Sequence, residues 1–480
     1  MYDIIIIGGG IVGTATARAL SRYSLKTLLI EREADIGVGA TKANSGILHA
    51  GYDCQPGTQK AALNIEGLAM YTKLVKELDI PYRKNGSLIM CTGKDGPAKL
   101  MALYEKGLAN GVTEMELLSP KETLALEPNL NPNITGALRA KTAGIISPYE
   151  AAIAFGENAA ENGVDFLLET AVNKIEKDEN GSFAVWTQPK LHDNSNPQPL
   201  RTKVLINAAG IESATIHNQL TPKKETVTPL RGQYYLLDNT QRDLVKHTIF
   251  QLPTSLGKGV LVVPTIDNNI LLGPTAEPPE SPSDTDTTAT GLQEVLDNTQ
   301  QILKFVPVRD RITAFAGIRA RHSSRDFIID ETLPGYINVM GIDSPGLTAA
   351  PAIAEKIAYI ATKRLQPALN PNFNPSRTGI QRFRDQSKVQ QAALIKQNPA
   401  YGRVICRCET ITEAEIVDAI KRPLGARNLD ALKRRTRAQM GRCQGGFCLT
   451  KLIEILSREQ GIPETAVTFN GTGAEVCIPD

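Results

Sequence analysis

The sequence predicts an α/β protein in which a split Rossmann-type dinucleotide-binding domain encloses an inserted antiparallel sheet, followed by a small, mainly helical C-terminal module. Three observations carry this. Residues 2–31 read as strand, glycine turn, helix and strand closed by an acid, with the turn spelling Gly8-x-Gly10-x-x-Gly13. Segments suited to the same sheet return only near 204–210 and 336–340, with turn-broken, strand-like segments between them. Four of the seven cysteines crowd into residues 406–448, beyond a proline-punctuated stretch.

The opening run Asp3-Ile4-Ile5-Ile6-Ile7 lacks a basic leader and is too short for a signal segment, so it reads as a buried parallel strand. The glycines that follow permit positive φ, close approach of backbone to a diphosphate, and tight packing of helix on strand. A helix from Ile11 then offers its free N–H groups to phosphate. Glu31 ends the second strand, 21 residues past Gly10, where a carboxylate accepts from a ribose hydroxyl. This fingerprint does not distinguish NAD, NADP and FAD.

A chain of 480 residues, 41% hydrophobic and 22% charged, is globular and large enough for two to three domains. Its 53 basic and 51 acidic residues nearly cancel, so no global field draws it to nucleic acid or an anionic membrane. No run reaches the ~18 apolar residues of a membrane span. A cytoplasmic location follows, with membrane contact through a partner left open. Clustered cysteines in such a chain indicate a metal site rather than disulfides.

After Glu31 an ordinary nicotinamide enzyme would begin a second α/β repeat. Instead residues 35–58 form a long glycine-rich loop, and loops of that length are usually functional. The periodicity then predicts a helix over 60–78, short elements to about 147, a helix over 149–162 and a strand over 164–168. The polar stretch 178–198 reads as a hairpin with an exposed tip, and Val204 to Gly210 rejoins the first sheet. Strands are expected at 227–237, 260–264, 270–273 and 313–318, a helix at 291–305, a strand at 336–340 and a helix at 349–365. This organisation places the dinucleotide-binding core at 1–80, 148–215 and 318–365, a substrate domain at 81–147 and 216–317, a linker at 366–399, a cysteine module at 400–460 and a tail at 461–480. Such a split layout is usual for FAD enzymes.

The motifs Asn44-Ser-Gly-Ile-Leu-His-Ala-Gly-Tyr-Asp53, Pro229-Leu-Arg-Gly-Gln-Tyr-Tyr-Leu-Leu-Asp238, Gly257-Lys-Gly-Val-Leu-Val-Val-Pro-Thr265, Ala316-Gly-Ile-Arg319 and Gly341-Ile-Asp-Ser-Pro-Gly-Leu-Thr348 carry a resemblance. Residues 1–365 resemble the FAD-dependent glycerol-3-phosphate dehydrogenase/oxidase family and its L-2-hydroxyglutarate oxidase relatives. The resemblance implies FAD held by Gly8, Gly10, Gly13, Glu31, Arg32, Thr41, Asn44, Ser45, Gly46, Val172, Ala209, Gly210, Gly341, Ser344, Gly346, Leu347 and Thr348. It implies His49 as the base, since imidazole titrates near working pH. Arg319 and Lys258 are then the cations for an anionic substrate, with Ser45 and Ser344 as further substrate contacts. Arg231 matches a family position or braces the sheet; Arg321 and His322 either widen the anion site or face solvent.

Cys406-Arg-Cys408 and Cys443-Gln-Gly-Gly-Phe-Cys448 are separated by 34 residues. Four thiolates suit zinc or a [2Fe–2S] cluster, and the CxC pair argues mildly against zinc. With Thr410-x-Thr-Glu-Ala-Glu-Ile-Val and Lys433-Arg-Arg-Thr-Arg437, the stretch resembles the bacterioferritin-associated-ferredoxin-type [2Fe–2S] domain. The basic segment 433–437 offsets cluster charge, docks an acidic acceptor, or is a solvated helix face. Together the resemblances imply oxidation of glycerol 3-phosphate at FAD, with electrons leaving through the cluster to a partner acceptor. A 2-hydroxy acid fits the same cations, and an amine comes third. A non-catalytic flavin/iron–sulfur relay is the rival of another class, against which His49 and Arg319 count.

Overall fold

The structure, a computed structural model, describes residues 1–189, 198–252 and 259–477. Five parallel strands form the first sheet in the order Asp165–Leu167, Thr27–Ile30, Tyr2–Ile7, Leu200–Asn207, Tyr336–Met340. Ile328–Leu333 adds an antiparallel edge, and the hairpin Thr170–Lys177/Phe183–Pro189 leans on the start of Leu200–Asn207. Both faces are covered, which is why the isoleucine run does not alternate with polar residues. Ile4 and Ile6 meet helices Ile11–Leu20, Gln59–Glu77, Pro148–Glu161 and Gly346–Leu365, whereas Ile5 and Ile7 meet the hairpin and helix Ser213–Leu220. Small residues let these helices cross closely: a Cβ at Gly67 would lie 2.1 Å from the Thr348 carbonyl oxygen.

The second sheet has eight strands, in the order Arg311–His322, Val227–Leu237, Ile270–Gly273, Leu261–Pro264, Thr248–Gln251, Ser87–Thr92, Ile134–Ala140, Met115–Leu118. Every step is antiparallel except Thr248–Gln251 beside Ser87–Thr92. That parallel step is the seam between two stretches of chain far apart in sequence. Ile47–Leu48, Gly144–Ile146 and Tyr82–Arg83 form a small sheet that brings the glycine-rich loop against this layer.

Three elements differ from the sequence expectation. Within the polar 178–198 stretch, Phe183–Pro189 is already a strand, because Phe183, Ala184 and Val185 bury their side chains while the turn occupies 178–182. The 313–318 strand extends over Arg311–His322, its polar residues paired along Val227–Leu237. The last long helix starts at Gly346 rather than 349, since a proline is tolerated at a helix start and Leu347 and Thr348 pack inward.

The C-terminal module has a small core of its own, including Ile416, Leu429, Leu432, Leu452 and Leu456. Helices Glu413–Lys421, Leu429–Thr436 and Leu449–Gln460 surround it, with the two-stranded ribbon Val404–Cys406/Ile411–Thr412. Thr412 and Glu415 form a capping box at the first of these helices. Among the described residues no helix is long and apolar enough to cross a membrane.

Candidate functional site

At the glycine turn, backbone approaches backbone so closely that side chains are excluded. A Cβ at Gly8, where φ is +107°, would lie 2.4 Å from the Ala208 carbonyl oxygen, and one at Gly13 would lie 1.9 Å from that of Gly8. No side chain caps Gly10, the residue before helix Ile11–Leu20, although Thr41 Oγ1 accepts from Ile11 N–H at 3.0 Å. The result is a side-chain-free cradle facing a helix N-terminus, the surface a diphosphate requires. Glu31 accepts from the N–H groups of Gly9 (2.5 Å) and Glu33 (2.9 Å). Burial raises its carboxyl pKa against the pull of those donors. Arg32, half-exposed, pairs with Glu33 (3.2 Å) and Glu212 (3.6 Å).

The other residues predicted for the dinucleotide lie on several separate elements. Ala209 N–H donates to Asn207 Oδ1 (3.3 Å), and Gly210 turns the chain at φ +58°. Val172 sits at a bulge in the Thr170–Lys177 strand. Asn44 Oδ1 accepts from Gly46 N–H at 2.8 Å, closing the turn that leads to Ile47. Residues 341–348 form the turn and first helical turn next to His49.

His49 is held from three sides. Its N–H donates to Thr348 Oγ1 (2.9 Å), its carbonyl accepts from Asn64 Nδ2 (3.0 Å), and its ring lies 5.9 Å from that of Phe250. Nε2 stands 3.4 Å from Ser344 Oγ. The Ser344 turn is in turn anchored by Asp343, which pairs with Lys60 (2.6 Å) and Arg321 (3.6 Å). Thus His49 is 8% exposed yet keeps a nitrogen directed toward an exposed hydroxyl.

Arg319 lies on the second sheet, where it donates to the Thr275 carbonyl oxygen. Gly232 on the neighbouring strand leaves room for it: a Cβ there would meet the guanidinium at 2.6 Å. Tyr234, absent from the sequence-based candidates, hydrogen-bonds Ser45 and lies in the field of Arg319; burial raises its hydroxyl pKa, while Arg319 and the Ser45 hydrogen bond act oppositely. Its signal was present only as an aromatic two residues past Gly232. Phe250 was missed as well, because nothing local ties it to His49.

Lys258 lies outside the described residues. Of the alternatives for Arg231, the structure selects bracing: it pairs with Asp284 (2.6 Å) and Glu277 (3.3 Å). Neither Arg321 nor His322 is a free solvent-facing cation. Arg321 holds Asp343, and His322 is buried against Glu225 (3.1 Å) and Ser324 (2.8 Å).

In the C-terminal module the four predicted ligand thiols interact. Cys406 and Cys448 hydrogen-bond side chain to side chain, as do Cys408 and Cys443. Backbone N–H groups of Gln439 and Glu409 point at the Cys406 sulfur, and those of Phe447 and Gly445 at Cys443. The contact with Cys448 and these donors bring the Cys406 thiol down to about 6, while Cys448 is pushed up. The loop achieves this with left-handed residues at Arg437, Gln439, Gln444 and Gly445. N–H donors converging on four thiols suit an anionic cluster, whose charge they offset. Cys406 and Cys448 are buried, Cys408 is exposed and Cys443 is between, so one edge of the set reaches the surface.

The burial of Arg434, Arg435 and Arg437 overturns the reading of the basic segment as a solvated helix face. Arg434 and Arg435 are 3% and 7% exposed and grip Asp35, itself 3% exposed, at 2.7 to 2.8 Å. Arg437 reaches Asp267 (3.0 Å), Asn269 (3.0 Å) and Glu409 (2.8 Å). Arg382 and Arg384 from the 366–399 segment join Asp267 to Glu150 and Glu409, and Arg377 and Arg422 share Glu157. The acidic partner of the segment is therefore this chain's own dinucleotide-binding and second-sheet surface. Burying these charges is costly, and the two-pronged guanidinium–carboxylate contacts offset that cost, although Arg434 Nε and Arg435 Nε stay unpaired.

A glycine cradle with its acid, a histidine beside an N-terminal helix turn, and a docked four-thiol module define a flavin-dependent oxidoreductase carrying an iron–sulfur relay. Residues 3–360 match the FAD dependent oxidoreductase (DAO) family and residues 404–458 the BFD-like [2Fe-2S] binding domain. A glycerol 3-phosphate dehydrogenase of Caloramator mitchellensis is 45% identical over 99% of this chain and 98% of its own length. A glycerol 3-phosphate oxidase of Mycoplasma genitalium is 32% identical over 78% of this chain and 98% of its own. Among solved structures, the dithionite-reduced L-alpha-glycerophosphate oxidase of Mycoplasma pneumoniae with FAD bound superimposes with a TM-score of 0.73 at 30% identity, covering 78% of this chain and 98% of that one. The chain belongs to the FAD-dependent oxidoreductase family, and its two cofactors are FAD and a [2Fe–2S] cluster.

Proposed function

We propose that the protein oxidises sn-glycerol 3-phosphate to dihydroxyacetone phosphate and delivers the electrons through its cluster to a partner acceptor. The observation that carries this is the pairing of His49 Nε2 with Ser344 Oγ at 3.4 Å beside a helix N-terminus, on a chain so similar in full length to a glycerol 3-phosphate dehydrogenase. FAD, held at the glycine cradle, would supply two-electron acceptor chemistry. His49 receives the hydroxyl proton at Nε2, for which a positioned imidazole suits neutral pH. Ser344 orients that nitrogen. Arg319, with Ser45 and Tyr234 beside it, clasps the phosphate oxyanion. Lys258 adds a second cation in this reading. A [2Fe–2S] cluster held by the four thiols would supply one-electron carriage, which supports a dehydrogenase over a simple oxidase. The surface edge formed by Cys408 and Cys443 is the exit to the acceptor.

Arg319 would hold a carboxylate as readily as a phosphate, and relatives that are L-2-hydroxyglutarate dehydrogenases, such as the human one at 29% identity, favour that as the second reading. Anaerobic mixing with each compound decides. Glycerol 3-phosphate should bleach the flavin absorbance near-stoichiometrically while L-2-hydroxyglutarate does not; bleaching by the acid alone reverses the assignment, and bleaching by neither leaves the relay.

A further inference from the structure

Asp35 stands between the two cofactor sites. It follows Glu31 by four residues and precedes Gly37, whose N–H donates to the Gly9 carbonyl at 2.9 Å, so it belongs to the loop that closes the glycine cradle. Its carboxylate is taken up by Arg434 and by both prongs of Arg435. The side chain therefore faces the cluster module. Arg437 continues the same segment in a left-handed turn and binds Glu409, the neighbour of Cys408. From Cys408 to Gly9, then, the links are short: Glu409 to Arg437, Arg434 and Arg435 to Asp35, and Gly37 to Gly9.

We propose that Asp35 is a positioning residue coupling the two sites, such that a filled cluster tightens FAD binding and bound FAD slows loss of the cluster. The loop 437–448 holds four residues at positive φ, three of them not glycine, a conformation that ligation of its cysteines keeps in place. When the thiols are unligated the loop relaxes and Arg437 releases Glu409. The arginines one turn earlier then lose their fixed position on Asp35. A buried carboxylate without its partners is costly, so the 31–37 loop shifts to expose it. That shift removes the Gly37 contact from the cradle and leaves negative charge beside a site for an anionic cofactor. Reciprocity follows from linkage: whatever factor the cluster contributes to FAD affinity, FAD contributes to cluster affinity. The proposal depends on neither the substrate nor His49.

The test is a fluorescence titration of FAD into deflavinated full-length protein, with the cluster intact or removed by oxidation and chelation. For the native chain the Kd for FAD should rise roughly 5-fold or more on cluster loss, the scale of ordinary coupling between sites. Asp35→Asn should bind FAD with one Kd whether or not the cluster is present. Arg435→Lys, which keeps the charge but not the two-pronged contact, preserves the fold and should shrink the difference. Release of the cluster, followed by its visible absorbance under chelator, should be slower with FAD bound in the native chain only. An unchanged Kd on cluster loss, or a full difference retained in Asp35→Asn or Arg435→Lys, overturns the coupling.

Discussion

His49 Nε2 and Ser344 Oγ meet at 3.4 Å although 295 positions separate them in the chain. The contact joins the glycine-rich loop to the turn before the Gly346–Leu365 helix, while Phe250 of the second sheet lies beside the ring. If His49 is the base, His49→Ala should slow flavin reduction by roughly 10²-fold or more while leaving FAD bound. Ser344→Ala should slow it less and shift its pH profile. Stopped-flow reduction across pH measures both, and an unchanged rate in His49→Ala removes it from the chemistry.

In the proposed reading Arg319, on the second sheet, is the cation for the substrate anion. Its replacement by Ala should raise the substrate constant by roughly 10- to 100-fold, the range for a lost charge-assisted hydrogen bond. Lys should restore only part, because an ammonium cannot form the two parallel bonds of a guanidinium. Steady-state kcat and KM for the two variants decide whether Arg319 binds the anion.

Gly13→Ala should yield protein that does not retain FAD. The added Cβ would lie 1.9 Å from the Gly8 carbonyl oxygen, and the turn has no side chain that can move aside. The ratio of flavin to protein absorbance after purification reads this directly.

Cys408→Ser separates the half-reactions. Flavin bleaching by substrate should remain near-stoichiometric, whereas the paramagnetic signal of the reduced cluster and turnover with a one-electron acceptor should be lost. Full turnover without the signal would place the electron exit at FAD.

Acid should loosen the docked module. Burial would raise Asp35 and Asp267, but Arg435 and Arg434 on the first, and Arg437, Arg382 and Arg384 on the second, hold both below the ordinary carboxylate range. Their unfolded pKa is about 3.9, so the unfolded chain binds more protons near that pH, and stability rises with pH there. The contribution is complete at neutral pH and lost as pH falls below about 4. Glu150 in the same network is raised by burial and acts in the opposite sense. Calorimetry should show an unfolding temperature that drops below about pH 4, with a shallower drop in Asp35→Asn, which is less stable at pH 7.

Much of this was legible because the physics is local. Gly8 to Glu31 shows its turn, helix start and acid within one supersecondary unit, and the CxC and CxxxxC pairs each place two thiols on one short loop. The span of Phe183–Pro189 was obscured by the polar residues around its buried Phe183, and Tyr234 and Phe250 carry no local mark of the site they line. Arg321 and His322 looked like candidates for an anion because composition cannot show that Asp343 and Glu225 already pair with them.

The sequence by itself determined the dinucleotide cradle, the split sheet and the four-thiol set, since strand, turn and helix periodicity and ligand spacing act over a few residues. Only the tertiary structure decided where the basic segment 433–437 goes. A run of arginines reads alike on a solvated face and in a buried seam, and Asp35 and Asp267 lie about 400 and 170 positions away. Their pairing exists only once two sheets and a third module are folded against one another, because the cost of burying those charges is offset by partners that the chain brings from elsewhere.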